Sequence, residues 1–109
     1  MSAAPKGVTL VAIITVRTAA LDQFRDFEKH AARVMKSHGG RIERAVVVAQ
    51  PEAPETLKEI HVVTFPDATS FAAYRADPGL RAVAALREAS VLHTEVLVGV
   101  DGPDYGAAC

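Results

Sequence analysis

The sequence predicts a small α+β domain of the ferredoxin-like βαββαβ type, a four-stranded antiparallel sheet with both helical segments on one face. Three observations carry this. Four β-branched runs alternate with two stretches of helical periodicity in the order strand, helix, strand, strand, helix, strand. The link between the second and third runs, Gln50–Thr56, is polar, contains proline and is too short for a helix, so those strands form an antiparallel hairpin. The first strand is apolar on both sides, as in a sheet covered on two faces.

The elements follow in order. Val8–Val16 reads as a doubly buried strand. Thr18 is placed to cap the next helix. From Leu21 the apolar residues Leu21, Phe24, Phe27, Ala31 and Val34 recur at helical spacing, against a face carrying Asp22, Arg25, Asp26, Lys29 and Lys36. Gly39-Gly40 ends that helix, since glycine accepts the left-handed conformation of a C-terminal cap. Arg41–Ala49 and Leu57–Phe65 are the hairpin strands, and Pro66 closes the second because it cannot donate to the ladder. Asp67 caps a short helix holding Phe71 and Tyr74. Asp77-Pro78 restarts it, with aspartate as N-cap and proline at the first helical position. Leu80, Val83 and Leu86 extend the apolar stripe, and Val91–Val100 is the last strand. The domain spans 8–101, between a flexible N-terminus over 1–7 and a turn-rich tail over 102–109.

Composition narrows the function classes. The 109 residues fit one domain with little surplus core, so a partner surface is useful to it. Twelve basic and thirteen acidic residues are well mixed, for a net charge of −1, and no basic run or aromatic platform points to nucleic acid. The longest apolar stretch, Val8–Val16, is too short to span a membrane. The N-terminal residues lack the pattern of a signal peptide, so a cytoplasmic location is expected. The single cysteine, Cys109, allows no internal disulfide and reads as an exposed thiol. The apolar second face of the sheet is expected to pack on another copy of the chain as a homodimer.

Gly39-Gly40-Arg41, Phe65-Pro66-Asp67 and Tyr74-Arg75-Ala76-Asp77-Pro78 carry a resemblance. From about Val8 to Gly99 the chain resembles the dimeric α+β barrel superfamily, most closely a bacterial branch known only as a domain of unknown function. Other branches are cofactor-free monooxygenases of antibiotic biosynthesis, polyketide cyclases, muconolactone isomerase and haem-degrading enzymes. The resemblance implies two sheets packed face to face across a dimer, and a small-molecule pocket between each sheet and its own helices. Tyr74 matches a tyrosine of the olivetolic acid cyclase-type cyclases, but the catalytic histidine of those enzymes falls on Leu80, so their mechanism does not carry over.

The candidate chemistry lies on the last two strands. Period-two alternation groups Glu59, His61, Val63 and Phe65 on one face of the third strand, and the resemblance turns that face to the pocket. On the fourth strand His93, Glu95, Leu97 and Gly99 share a face. With that face also inward, His61, His93, Glu95 and Tyr74 converge as a catalytic set: an imidazole beside a carboxylate serves as general base, and a phenol donates to a developing enolate. Phe24, Phe27, Val63, Phe65 and Phe71 form the substrate-binding wall. Each residue also has a structural reading: His61 as a satisfied core histidine, His93 and Glu95 as surface or dimer contacts, Tyr74 as core. Glu59 reads as a strand-end surface charge, His30 and His38 as cations at a helix C-terminus, and Arg17, Arg41 and Arg44 as partners for carboxylates across the dimer.

No metal site is expected, because His61, His93 and Glu95 show no ligand spacing. No cofactor is expected either, because no phosphate loop or dinucleotide motif is present. The leading expectation is a cofactor-independent cyclase or isomerase that acts on a hydrophobic, aromatic or polyketide-like molecule by His61-mediated proton transfer. A cofactor-free monooxygenase, a non-catalytic binding or interaction module and a haem-handling protein are the alternatives.

Overall fold

The computed structural model describes residues 7–106; the expected N-terminal segment and the end of the expected tail lie largely outside them. Four strands, β1 (Val8–Arg17), β2 (Arg41–Ala49), β3 (Thr56–Phe65) and β4 (Val91–Gly99), form one antiparallel sheet in the order β2-β3-β1-β4. Helix α1 (Leu21–Ser37) and the segments α2 (Ala68–Arg75), α3 (Pro78–Arg81) and α4 (Ala84–Ser90) complete the ferredoxin-like α+β fold.

The register follows from the doubly apolar β1. It pairs with β3 without a break from Val8↔Phe65 to Arg17↔Thr56, and with β4 from Thr9↔Gly99 to Thr15↔His93. One face of the sheet therefore carries Leu10, Ile14, Val16, Leu57, Val63 and Phe65, all buried under the helices. Phe24 and Met35 of α1 meet them in two clusters, one around Met35 and Phe65 and one around Phe24 and Val16. The opposite face carries Val11, Ile13, Ile60 and Val62, which stay only half-buried although they sit on the central strands. Val46, Val48 and Leu97 extend that face and are exposed.

The helix ends agree with the sequence in most places. Asp67 accepts from the Ser70 backbone N–H at 2.7 Å, and Asp77 from that of Gly79 at 2.7 Å, with Pro78 in the first turn. Gly39 has φ +77°, the left-handed cap. Thr18 departs from expectation. It opens a short 3-10 turn, and its hydroxyl donates to the Pro54 carbonyl at 2.8 Å, tying the start of α1 to the β2–β3 turn instead of capping the helix. The stripe expected to run through Leu80, Val83 and Leu86 is broken, because α3 ends at Arg81 and α4 begins only at Ala84. His30 and His38 are not free end-of-helix cations. His30 Nε2 donates to the Gly79 carbonyl at 3.0 Å, and His38 Nε2 lies 2.7 Å from Asp77, which holds the Asp77 carboxyl below its usual range. Both clasp α3 to α1. Arg41 pairs within its own strand, with Glu43 at 2.8 Å.

Gly40 shows how tightly the helix–sheet layer closes. A Cβ there would run into the Phe65 ring and lie 2.7 Å from Met35 Cγ. Gly40→Ala is therefore expected to cost about 1–3 kcal/mol through forced repacking. Urea denaturation of the two proteins checks this, and an unchanged midpoint contradicts it.

Candidate functional site

A cavity of about 600 Å³ lies between the helix-side face of the sheet and the helices. Its walls are mainly apolar. The sequence-expected Phe24, Phe27, Val63, Phe65 and Phe71 all line it, together with His61 and Tyr74. The Phe65 ring anchors the aromatic side, with centroids 5.3 Å from Phe71 and 5.4 Å from Tyr74.

His61 is buried, and both ring nitrogens face carboxylates. Nε2 is 2.7 Å from Glu59 Oε1. Nδ1 is 3.5 Å from Glu28 Oε2, beyond a well-formed hydrogen bond. Its cross-strand neighbours are Ala12 on β1 and Ala45 on β2, two small side chains that leave room around the ring. Because Glu59 Oε1 accepts from Nε2, that nitrogen carries the hydrogen in the neutral tautomer, and Nδ1 is turned toward Glu28. Glu28 sits on α1, and burial pushes its carboxyl above the ordinary 4.5, against the attraction of His61. The three residues thus hold an imidazole between two carboxyl groups, one in direct hydrogen-bond contact and one at longer range. The Tyr74 phenol, pushed up to about 12 by burial and by the Glu28 charge, stays protonated and has no hydrogen-bond partner among the described residues. It is a donor, not a base.

His93 and Glu95 do not join this group. Both are exposed on the opposite face, paired with Thr15 and Ile13. The cause is a register shift between Thr15 and Val16. Val91 pairs with Val16 and lines the cavity, but after the shift the inward residues are Thr94, Val96 and Val98. Unbroken alternation from Val91 would have turned His93 and Glu95 inward. Glu59, expected at the surface, has a side chain only 12% exposed and supplies the carboxylate that was sought in Glu95. Glu28 was missed altogether. Its signal was available: it falls at helical spacing within the buried set Phe24, Ala31 and Met35, where a charge is anomalous.

No group of three or more His, Cys, Asp or Glu side chains among the described residues could hold a metal ion. No described helix is long and apolar enough to cross a membrane.

Residues 10–101 match the model of a domain of unknown function, DUF1330. The chain belongs to the DUF1330 family. No curated protein matches it. Solved structures that resemble this DUF1330 chain share its fold at low identity. SnoaB, a cofactor-independent oxygenase from Streptomyces nogalater, superposes with a TM-score of 0.66 at 19% identity, over 93% of this chain and 98% of its own. RPA0582, a protein of unknown function from Rhodopseudomonas palustris, gives 0.73 at 13%, over 92% and 86%. A Nitrosomonas europaea protein provisionally named an antibiotic biosynthesis monooxygenase gives 0.66 at 9%, over 97% and 98%. These likenesses show a shared ferredoxin-like α+β fold.

The buried carboxyl of Glu28 gives a test with a definite sign. Its pKa is raised in the folded state, so its favourable contribution is complete below the unfolded value near 4.5 and is lost as pH rises through the folded value. Glu28→Gln is expected to raise the melting temperature at pH 8, with the gain shrinking toward pH 4. A gain larger at pH 4 than at pH 8 reverses the assignment.

Proposed function

We propose that the chain is a small-molecule enzyme in which His61 moves a proton on a hydrophobic, aromatic or polyketide-like substrate held in the cavity. The observation that carries this reading is the buried His61, held by Glu59 through Nε2, with Nδ1 3.5 Å from Glu28 and its ring in the cavity wall. In this reading Nδ1 accepts a proton from an activated carbon or a phenol. Tyr74 donates a hydrogen bond to the oxygen on which negative charge develops, and the proton returns at another position. That sequence is an isomerisation or, when the carbanion adds to a carbonyl within the same molecule, a cyclisation. Neither changes the oxidation state of the substrate overall.

A second reading shares the first step. After deprotonation, an electron-rich aromatic can pass electrons to dioxygen directly, which makes a cofactor-free monooxygenase. The fold shared with SnoaB, named a cofactor-independent oxygenase, supports it. A ligand-binding module without turnover is the third reading; a buried imidazole held between Glu59 and Glu28 in the cavity wall argues for chemistry over it.

The proposal is tested with a panel of polyphenols and aromatic β-ketones, following product formation and oxygen uptake together. Product without oxygen consumption selects isomerisation or cyclisation; one oxygen consumed per product selects oxygenation. His61→Asn is expected to lower the rate by about 10²–10⁴-fold, the usual contribution of a positioned general base. A fully active His61→Asn protein removes the assignment.

The working unit in this proposal is a homodimer. The Val11, Ile13, Ile60 and Val62 face is apolar and lacks a helical cover, and an identical sheet is complementary to it. Sedimentation at micromolar concentration is expected to give a dimer, with Val62→Glu shifting it to monomer. A wild-type monomer contradicts the arrangement.

A further inference from the structure

Arg75, Arg81 and Arg87 lie on α2, α3 and α4, one on each segment, and all three line the same cavity. Their spacing makes this unusual. They are six residues apart, and on one straight helix each would turn about 240° from the last, toward three different sides. The breaks at Asp77-Pro78 and at Ala82-Val83 reset the helix direction twice and bring the three to one opening.

None of the three is held in a close ion pair. Among the described residues no carboxylate oxygen lies within 4.0 Å of any of them. Arg75 rests over the Phe71 ring at 5.5 Å, and Arg87 donates to Thr94 Oγ1 at 3.0 Å. Those contacts orient two of the guanidinium groups, and the longer-range attractions of Arg87 to Glu28 and of Arg81 to Asp77 leave all three without a direct carboxylate contact. The only acidic residue in the cavity wall is Glu28, whose carboxyl is already biased toward its neutral form. The interior opposite the arginines is hydrocarbon and aromatic: Leu10, Ile14, Phe24, Phe65 and Val96.

We infer that the cavity takes an amphipathic anion, an apolar body in the sheet–helix layer with an oxyanion head group gripped by Arg75, Arg81 and Arg87. This rests on the cavity's being the substrate site, and it names the substrate class: an aromatic or polyketide-like molecule that also carries a carboxylate or phosphate. Guanidinium forks fit carboxylate and phosphate equally well in shape, so the head-group chemistry is an oxyanion from either source. The head group anchors the molecule under the broken helix, and Arg87, which attracts the Glu28 carboxyl, links that anchor to the groups around His61.

Equilibrium binding to the full chain tests this with 2-naphthoate, 2-naphthyl phosphate and the neutral 2-naphthamide. At least one of the two anions is expected to bind tenfold or more tightly than the amide, and the tighter of them identifies the head group. That preference is expected to shrink as salt rises from about 0.02 to about 0.5 M, where exposed charges are screened. It is expected to vanish in R75Q/R81Q/R87Q. The inference is overturned if the amide binds as tightly as both anions, if no probe binds, or if the preference survives either the salt or the triple substitution. The salt series uses the wild-type protein, so the result does not depend on how the variant folds. The two readings fail separately: anion preference without any His61-dependent turnover keeps this inference and removes the enzyme, and His61-dependent turnover of neutral substrates with no anion preference does the reverse.

Discussion

Ten consecutive residue pairs join β1 to β3, and the placement of every other group in the molecule depends on that ladder. A slip of one residue would exchange the two faces of β3, moving His61 and Phe65 to the uncovered side and Ile60 and Val62 under the helices. The ladder resists such a slip because both strands bury large side chains on the helix side at fixed alternation, Leu10 and Ile14 against Val63 and Phe65. Phe65 in turn needs the empty space at Gly40, so the end of α1 and the end of β3 are locked together. The cavity is what remains where this layer is not filled. The pairing of His61 with Ala12 and Ala45 keeps that part of the layer thin.

Much of this was legible in the sequence because it is written in short-range terms. Periodicity located the four strands and α1, and Asp67, Asp77-Pro78 and Gly39 marked helix ends through local backbone chemistry that works the same way in any fold. The face of β3 that carries His61 was legible for the same reason, since alternation within one unbroken strand is local. Apart from the break between α3 and α4, the errors involve relations between elements. Thr18 found a carbonyl on a turn distant in sequence before it could cap its own helix. His93 and Glu95 were misplaced because a shift against β1 changed the phase of β4, and a register shift leaves no mark on the strand that carries it. Glu59 looked like a strand-end charge until α1 covered it.

Glu28 is the instructive omission. A helix that buries Phe24, Ala31 and Met35 ought to present an apolar side chain at the position between them, and a carboxylate there costs free energy through lost hydration. Such a cost is usually tolerated where a specific partner recovers part of it, and here the partner is His61. A scan for charged residues inside the apolar stripe, instead of for apolar residues alone, would have found it. Arg75, Arg81 and Arg87 posed the opposite difficulty. Each is ordinary alone, and only the twice-broken helix brings them to one cavity.

The interrupted α2–α3–α4 segment also divides the cavity by origin in the chain. Glu28, Glu59 and His61 stand on α1 and β3, two long regular elements held rigidly by the core. The arginines stand on three short pieces joined by two breaks, with little buried between them. In the proposed reading, substitutions in α3 and α4 can reshape the opening without disturbing the sheet, while substitutions at His61 on β3 and at Tyr74 on α2 act on the bound molecule. Selection can therefore work on what enters and on what happens to it as nearly independent traits, a modularity that lets one small scaffold diversify without refolding.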